Sequence, residues 1–203
     1  MDEEFVNVIG ITGPTGSGKS EVSLIFKEHG YEIIDSDKLA KEIINEKETL
    51  EEVKKVFGDD IEKDGILDRK ELAKRAFKSI EEEKKLNSIV HPKVLNRAEE
   101  LIANYVVNGK YNIVFDVPLM FESNADLLCS VVISVIAPVE KRKDRIRLRD
   151  NISDEEIDKR ISVQQSDDFY IEKSEYVIYN DSTMDDLKQK VIDIIGDIHG
   201  TTK

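Results

Sequence analysis

The stretch "GITGPTGSGKSEV", Gly10–Val22, decides the fold. Within it, Gly13–Ser20 fits G-x-x-x-x-G-K-[ST] at every fixed position. Glycines at Gly13, Gly16 and Gly18 let the backbone curl, so that successive N–H groups point at phosphate oxygens. A helix starting just after the loop adds its positive N-terminal end. Lys19 is then placed for the outer phosphates, and the Ser20 hydroxyl is a ligand for Mg²⁺. The flanks agree. "VNVIGIT" (Val6–Thr12) is a short apolar, β-branched run that stops at glycine, and Ser17–Phe26 carries Val22, Ile25 and Phe26 at helical spacing. A strand, a phosphate loop and a helix in this order mark a nucleoside-triphosphate site.

Outward from the loop, strand and helix signals alternate. "YEII" (Tyr31–Ile34), "YNIVFD" (Tyr111–Asp116), "SVVISVIA" (Ser130–Ala137) and "YVIY" (Tyr176–Tyr179) read as further short strands, and Met184–Ile195 as a closing helix. Such alternation predicts a parallel sheet covered on both faces. Lys38 to about Ile102 holds charged amphipathic stretches broken by "FGDD", "KDGILD" and "HP", which predicts several helices, with His91 and Pro92 at a helix start. His29 and His199 read as helix-end residues, and the terminal "TTK" as frayed.

The 203 residues predict one domain, or one domain with inserted helices. No window approaches eighteen consecutive apolar residues, and Met1–Glu4 opens with acids, so neither a membrane span nor a secretory signal is expected. A formal charge of −13 argues against nucleic-acid and anionic-membrane partners. The single cysteine, Cys129, reads as a buried structural thiol. The three histidines lack metal-ligand spacing, so no zinc site is expected. A cytoplasmic address follows, with a monomer or weak homo-oligomer as the expected assembly.

A guanine-reading N-K-x-D is absent, and the length suits a small-molecule kinase. Such an enzyme needs a proton acceptor, cations over the transferring phosphoryl group and an acceptor-binding wall. Asp35 and Asp37 follow the second strand, where ligands of parallel sheets collect. Asp37 is the candidate base, and Asp35 is structural or acceptor-positioning; one of the two is expected to cap the next helix. Cations are concentrated in "EKRKDRIRLRD", where six of the nine residues from Lys141 to Arg149 are Lys or Arg. Arg142, Arg145 and Arg149 share one helical face there, suited to bidentate phosphate contacts. The alternative for each is a solvated arginine paired with a surface acid. Asp116, at the end of "NIVFD", either holds Mg²⁺ through water or caps the turn before Pro118.

The set of motifs resembles one family, dephospho-coenzyme A kinase. The likeness runs in order from Val8 to about Ile195. It comprises "GITGPTGSGKS", "IIDSDKLAKEI", "GILDRKEL" (Gly65–Leu72), "IVHPKV" (Ile89–Val94), "DVPLMFE" (Asp116–Glu122), the arginine helix, "RISVQQS" (Arg160–Ser166) and "EYVIYN" (Glu175–Asn180). The resemblance implies transfer of the γ-phosphoryl group of ATP to the ribose 3′-hydroxyl of dephospho-CoA, the last step of CoA synthesis. It implies an α/β, three-layer P-loop NTPase core of the nucleoside-monophosphate-kinase kind (about 1–37, 111–138 and 174–203). A helical dephospho-CoA-binding insertion (about 38–110) and a helical lid (about 139–173) complete the expected chain.

Carried onto this sequence, the family pattern gives Asp37, Lys19 and Arg149 as the catalytic set. ATP would be held by Gly13, Pro14, Thr15, Gly16, Ser17, Gly18, Lys19, Ser20 and Glu21, with the lid arginines Arg145 and Arg149 and with Asn180 near the adenine. Dephospho-CoA would meet Thr12, Asp35, Asp37, Lys41, His91, Pro118, Leu119 and Phe121. Mg²⁺ would sit on Ser20, with Asp116 as the second candidate. Pro14-Thr15, Ser36 and Lys41 stand where the family usually has Gly-Ile, Ala and Arg. The rivals are a P-loop kinase of another nucleotide or small alcohol, and a nucleotide-dependent binding protein without turnover.

Overall fold

The computed structural model describes residues 5–63 and 66–201. Met1–Glu4, Gly65 of the "GILDRKEL" motif, and Thr202 and Lys203 of the expected frayed end lie outside the described residues. Strands are β1 (Asn7–Thr12), β2 (Glu32–Asp35), β3 (Glu62–Lys63), β4 (Ile66–Leu67), β5 (Asn112–Asp116), β6 (Val131–Ile136) and β7 (Tyr176–Tyr179). Helices are α1 (Lys19–Glu28), α2 (Ser36–Ile43), α3 (Lys47–Phe57), α4 (Arg69–Ala76), α5 (Ile80–Val107), α6 (Val139–Asp150), α7 (Asp154–Ser162), α8 (Asp167–Lys173) and α9 (Met184–Thr201). Two compact units are formed, one by the residues up to Ile34 with those from Ile102 onward, the other by Asp35–Leu101.

The first unit is built on a five-stranded sheet of order β2-β5-β1-β6-β7. β1 sits at its centre, parallel to β5 (Ile11 opposite Asp116) and to β6 (Thr12 opposite Ser134), and β6 is parallel to β7. Burial on both faces explains why these strands read as unbroken apolar runs. On one face Ile9, Ile11, Val114, Ile133, Val135 and Ile178 pack with Val22, Ile25 and Phe26 of α1 and Leu187, Val191 and Ile198 of α9. On the other, α8 lies against β6, where Ser134 Oγ donates to Tyr170 O. Helix, sheet and helix make the three layers of a P-loop NTPase core.

The second unit is helical, with a small antiparallel pair, β3-β4. Its core is Leu50, Val53 and Phe57 of α3, with Ile61, Leu67, Leu72 and Ala76. A bidentate Arg75–Asp60 pair and the bond from Arg75 Nη1 to Phe57 O tie α4 to the end of α3. Arg75 holds the Asp60 carboxyl down at about 2.

Two sequence expectations need correction here. His91 and Pro92 do not start a helix; they lie inside the 28-residue α5. Proline removes one ladder hydrogen bond and strains the preceding turn. Burial of Val90, Val94 and Ala98 on one stripe spanning Pro92 offsets that cost. Cys129, read as buried, is only partly so, at the end of a short 3-10 turn (Ala125–Leu128). Its Sγ donates to Ala125 O at 3.4 Å, and burial, chiefly, pushes the thiol up to about 12. That keeps it protonated and inert.

Ile133 is fully buried on β6, beside the central strand. Ile133→Ala should lower unfolding free energy by about 2–5 kcal/mol, read as a lower denaturant midpoint with an unchanged slope.

Candidate nucleotide and acceptor sites

In the first unit, β1 ends at Thr12 and the loop Gly13–Gly18 leads directly into α1. Backbone demands fix its glycines. Gly13 has φ +134° and lies so close to Val135 O that a Cβ would collide with it. Gly16 has φ +77°, and a Cβ there would meet Arg142 O at 2.8 Å. Either substitution would push the loop off its support. Lys19 Nζ donates to Gly13 O (2.8 Å) and Pro14 O (3.2 Å), which seats the ammonium at the start of the loop. Ser20 and Glu21 are exposed on the first turn of α1.

Asp116 closes β5. Its Oδ2 accepts from Ser23 Oγ at 2.9 Å, and Ser23 shares a face of α1 with Ser20 three residues earlier. The carboxylate is therefore tied to α1, one turn beyond Ser20. In the turn after β5, Val117 N donates to Ile11 O, and Thr12 Oγ1 donates to Pro118 O. Ser123 Oγ caps Leu119 O, while Phe121 stacks edge-on against Phe169 at 5.7 Å. Thr12, fully buried at the end of β1, is thus joined to the turn that carries Pro118, Leu119 and Phe121.

The arginine helix divides its cations. Lys143 pairs with Asp158, Arg147 with Asp144 and Asp154, and Arg149 with Asp150. The Arg149 side chain is 60% exposed, and Asp150 also pairs with Arg160. Arg142 and Arg145 turn to the loop. Arg142, 3% exposed, donates from Nε to Thr15 O at 3.0 Å. Arg145 Nη1 donates to Gly16 O (3.2 Å) and Ser17 O (3.0 Å). Burial lowers the pKa of Arg142, opposed by the nearby Asp167 carboxylate.

Asn180 is buried and its amide is engaged: Nδ2 donates to Ser17 O at 2.8 Å, and Oδ1 accepts from Arg145 Nη2 at 3.2 Å. This places it under the loop. Two participants escaped the sequence reading. Gln164 stands in the quoted "RISVQQS" without an assigned role, yet its Oε1 accepts from Thr15 N at 3.2 Å. Ser23 was not singled out; its spacing of three from Ser20 is the signal that marks it.

In the second unit, Asp35 is the N-cap of α2 and its Oδ1 accepts from Lys38 N at 3.0 Å. The helix accordingly begins at Ser36, two residues earlier than expected. Asp37 is exposed in the first turn of α2, two residues beyond the carboxyl end of β2. Lys41 is exposed in the last turn, and its carbonyl accepts from Arg69 and Asn45. His91 is half-buried on α5, and burial lowers its pKa. Among the described residues, no group of three or more His, Cys, Asp and Glu side chains could hold a metal ion, and no helix is long and apolar enough to cross a membrane.

Comparison with known proteins bears on the whole chain. The dephospho-CoA kinase family (CoaE) matches residues 7–186. A dephospho-CoA kinase from Fusobacterium nucleatum is 41% identical over 187 residues, 92% of this chain and 95% of that protein. Among solved structures, TT1252 from Thermus thermophilus superposes with a TM-score of 0.78 at 31% identity, covering 95% of this chain and 98% of that one. The dephospho-CoA kinase from Campylobacter jejuni gives 0.71 at 28% identity, with 97% and 99% covered.

The lowered pKa of His91 fixes a sign. The unfolded chain binds the proton first, near the ordinary 6.5, so the contribution of His91 to stability is present above that value. It is lost as pH falls from there through the lower folded pKa. Melting temperature measured between pH 7.5 and 5 should fall less steeply for His91→Asn than for the wild type.

Proposed function

The chain belongs to the dephospho-CoA kinase family, and we propose that it transfers the γ-phosphoryl group of ATP to the ribose 3′-hydroxyl of dephospho-CoA. The observation that carries this reading is the phosphate loop itself. Its carbonyls at Thr15, Gly16 and Ser17 are taken up by side chains, in a chain whose family is defined by this transfer.

In this proposal the loop from Gly13 to Ser20, with Glu21 beside it, surrounds the phosphates through the backbone N–H groups not taken within the protein, as Thr15 N is by Gln164 and Ser17 N by Pro14 O, and Lys19 neutralises the outer oxygens. Asp37 accepts the 3′-hydroxyl proton. The hydroxyl oxygen forms its bond to the γ-phosphorus as the bond to the bridging β–γ oxygen breaks, and ADP leaves with that electron pair. Arg149, paired with Asp150 and with its side chain largely exposed, is the arginine assigned to the charge of the transferring group. Asn180 borders the nucleotide end of the loop. Thr12, Asp35, Asp37, Lys41, His91, Pro118, Leu119 and Phe121 are the residues the family pattern assigns to dephospho-CoA, with Asp35 acting by fixing the start of α2.

Mg²⁺ belongs to the same proposal. Hydroxyl and carboxylate oxygens suit a hard cation that keeps several waters and is held by one or two protein groups plus phosphates. Ser20 and Asp116, aligned through Ser23 along α1, fit that donor set. The metal would draw charge from the phosphate oxygens.

The proposed organisation is a core (about 1–37, 111–138 and 174–203), an acceptor-binding insertion (about 38–110) and a lid (about 139–173). A cytoplasmic address and the absence of a nucleic-acid partner complete it, supported by the formal charge of −13.

Turnover with Mg·ATP and dephospho-CoA, read as CoA by mass, tests the reaction. Wild type should form CoA; ADP release only with a different acceptor would discard the substrate assignment. Lys19→Ala should abolish turnover by loss of phosphate contacts. Asp37→Asn should lower kcat by at least about 10²-fold while ATP affinity stays within twofold of wild type. Loss of folding in that variant would mark Asp37 as structural.

A further inference from the structure

Three consecutive carbonyls of the phosphate loop face protein donors. Thr15 O accepts from Arg142, Gly16 O from Arg145, and Ser17 O from both Arg145 and Asn180. At Thr15 the arrangement closes into a ring. Thr15 N–H donates to Gln164 Oε1 (3.2 Å), Arg142 Nη2 donates to the same oxygen (2.9 Å), and Arg142 Nε donates to Thr15 O (3.0 Å). Both backbone groups of one loop residue are thereby held by two side chains from different elements. Arg142 comes from the first turn of α6, and Gln164 from the connection between α7 and α8.

We propose that Arg142 and Gln164 are positioning residues for the nucleotide: their ring with Thr15 fixes the loop's curvature and links it to the α7–α8 connection. Neither group touches phosphate in this assignment; both act through the loop backbone. The inference rests on the reading of the loop as the ATP site.

The physical case has three parts. A peptide plane that points its carbonyl one way points its N–H the other, so pinning the carbonyls of Thr15 and Ser17 on one side commits the N–H groups of Gly16 and Gly18 to the opposite side, while Ser17 N–H closes the turn on Pro14 O. Anion binding needs those N–H groups preset, because reorganisation at binding would cost affinity. Next, Arg142 is almost wholly buried, and a buried guanidinium is retained only where every contact is well made. Its contacts are the loop carbonyl, Gln164 and Asp167 (3.5 Å). Finally, the Gly16 backbone lies directly on Arg142, so α6 supports the loop by packing as well as by hydrogen bonds.

Gln164 is partly exposed, so its replacement tests the ring without a large cost to folding. Gln164→Met keeps length and removes the acceptor. The measurements are ATP affinity by calorimetry on the full chain, KM for ATP and for dephospho-CoA, and melting temperature. Gln164→Met should weaken ATP binding about tenfold, the scale of a hydrogen bond to a charged group. KM for ATP should rise in step, with KM for dephospho-CoA within twofold and melting temperature nearly unchanged. Arg142→Met should weaken ATP similarly, and the double variant should be no worse than the poorer single one, because the ring is already broken. Unchanged ATP affinity in Gln164→Met overturns the proposal. So does an equal loss for both substrates that follows melting temperature. If Arg142→Met does not fold, Gln164→Met decides alone. Calorimetry separates this inference from the substrate assignment: a wild type that binds ATP without making CoA loses only the latter, and one that binds no ATP loses both.

Discussion

A chain of formal charge −13 can hold a polyanion where backbone dipoles are fixed toward it. The phosphate loop meets this constraint by having its carbonyls occupied from behind. Arg142, Arg145 and Asn180 supply the donors. The position of the loop depends in turn on β1, the central strand, whose partners β5 and β6 bring Asp116 and Val135 alongside it. Sheet order and loop geometry are two expressions of one requirement, that the carboxyl end of β1 be surrounded.

The basic helix acquires its meaning from the same constraint. Its density of charge would be costly through self-repulsion. Lys143, Arg147 and Arg149 relieve it with acids on α6 and α7, and Arg142 and Arg145 relieve it with backbone carbonyls. A guanidinium serves several acceptors in one plane, which an ammonium does not. Arg145 uses this to bridge Gly16, Ser17 and Asn180 together.

The second unit is stabilised on its own terms, by the α3–α4 core and the Arg75–Asp60 contact. Capping by Asp35 defines where α2 begins, which leaves Asp37 exposed in its first turn. A helix start is a reliable place for an exposed carboxylate, because the helix dipole favours negative charge there. The long α5 shows the opposite lesson. "HP" read locally as a break, yet a buried stripe on both sides of Pro92 carried the helix through.

The strands were legible from apolar runs because both sheet faces are buried, and β1, β5, β6 and β7 fall within a residue or so of their predicted bounds. The phosphate loop was legible because only glycine tolerates its backbone, so conformation is written directly in residue type. Helix α1 begins two residues later than its spacing suggested, since Gly18 takes a left-handed conformation and stands as the cap. Direction of side chains was not legible. Arg142, Arg145 and Arg149 share one helical face in sequence, but whether each meets a carbonyl, an amide or an acid depends on what α6 packs against. Gln164 carried no local signal, because it lies 149 positions from Thr15 and hydrogen-bonding capacity alone names no partner. The sequence determined the sheet, the loop and the charge of the site. Tertiary packing alone decided which cations hold the loop and which face solvent, because that choice is made by neighbours distant in the chain.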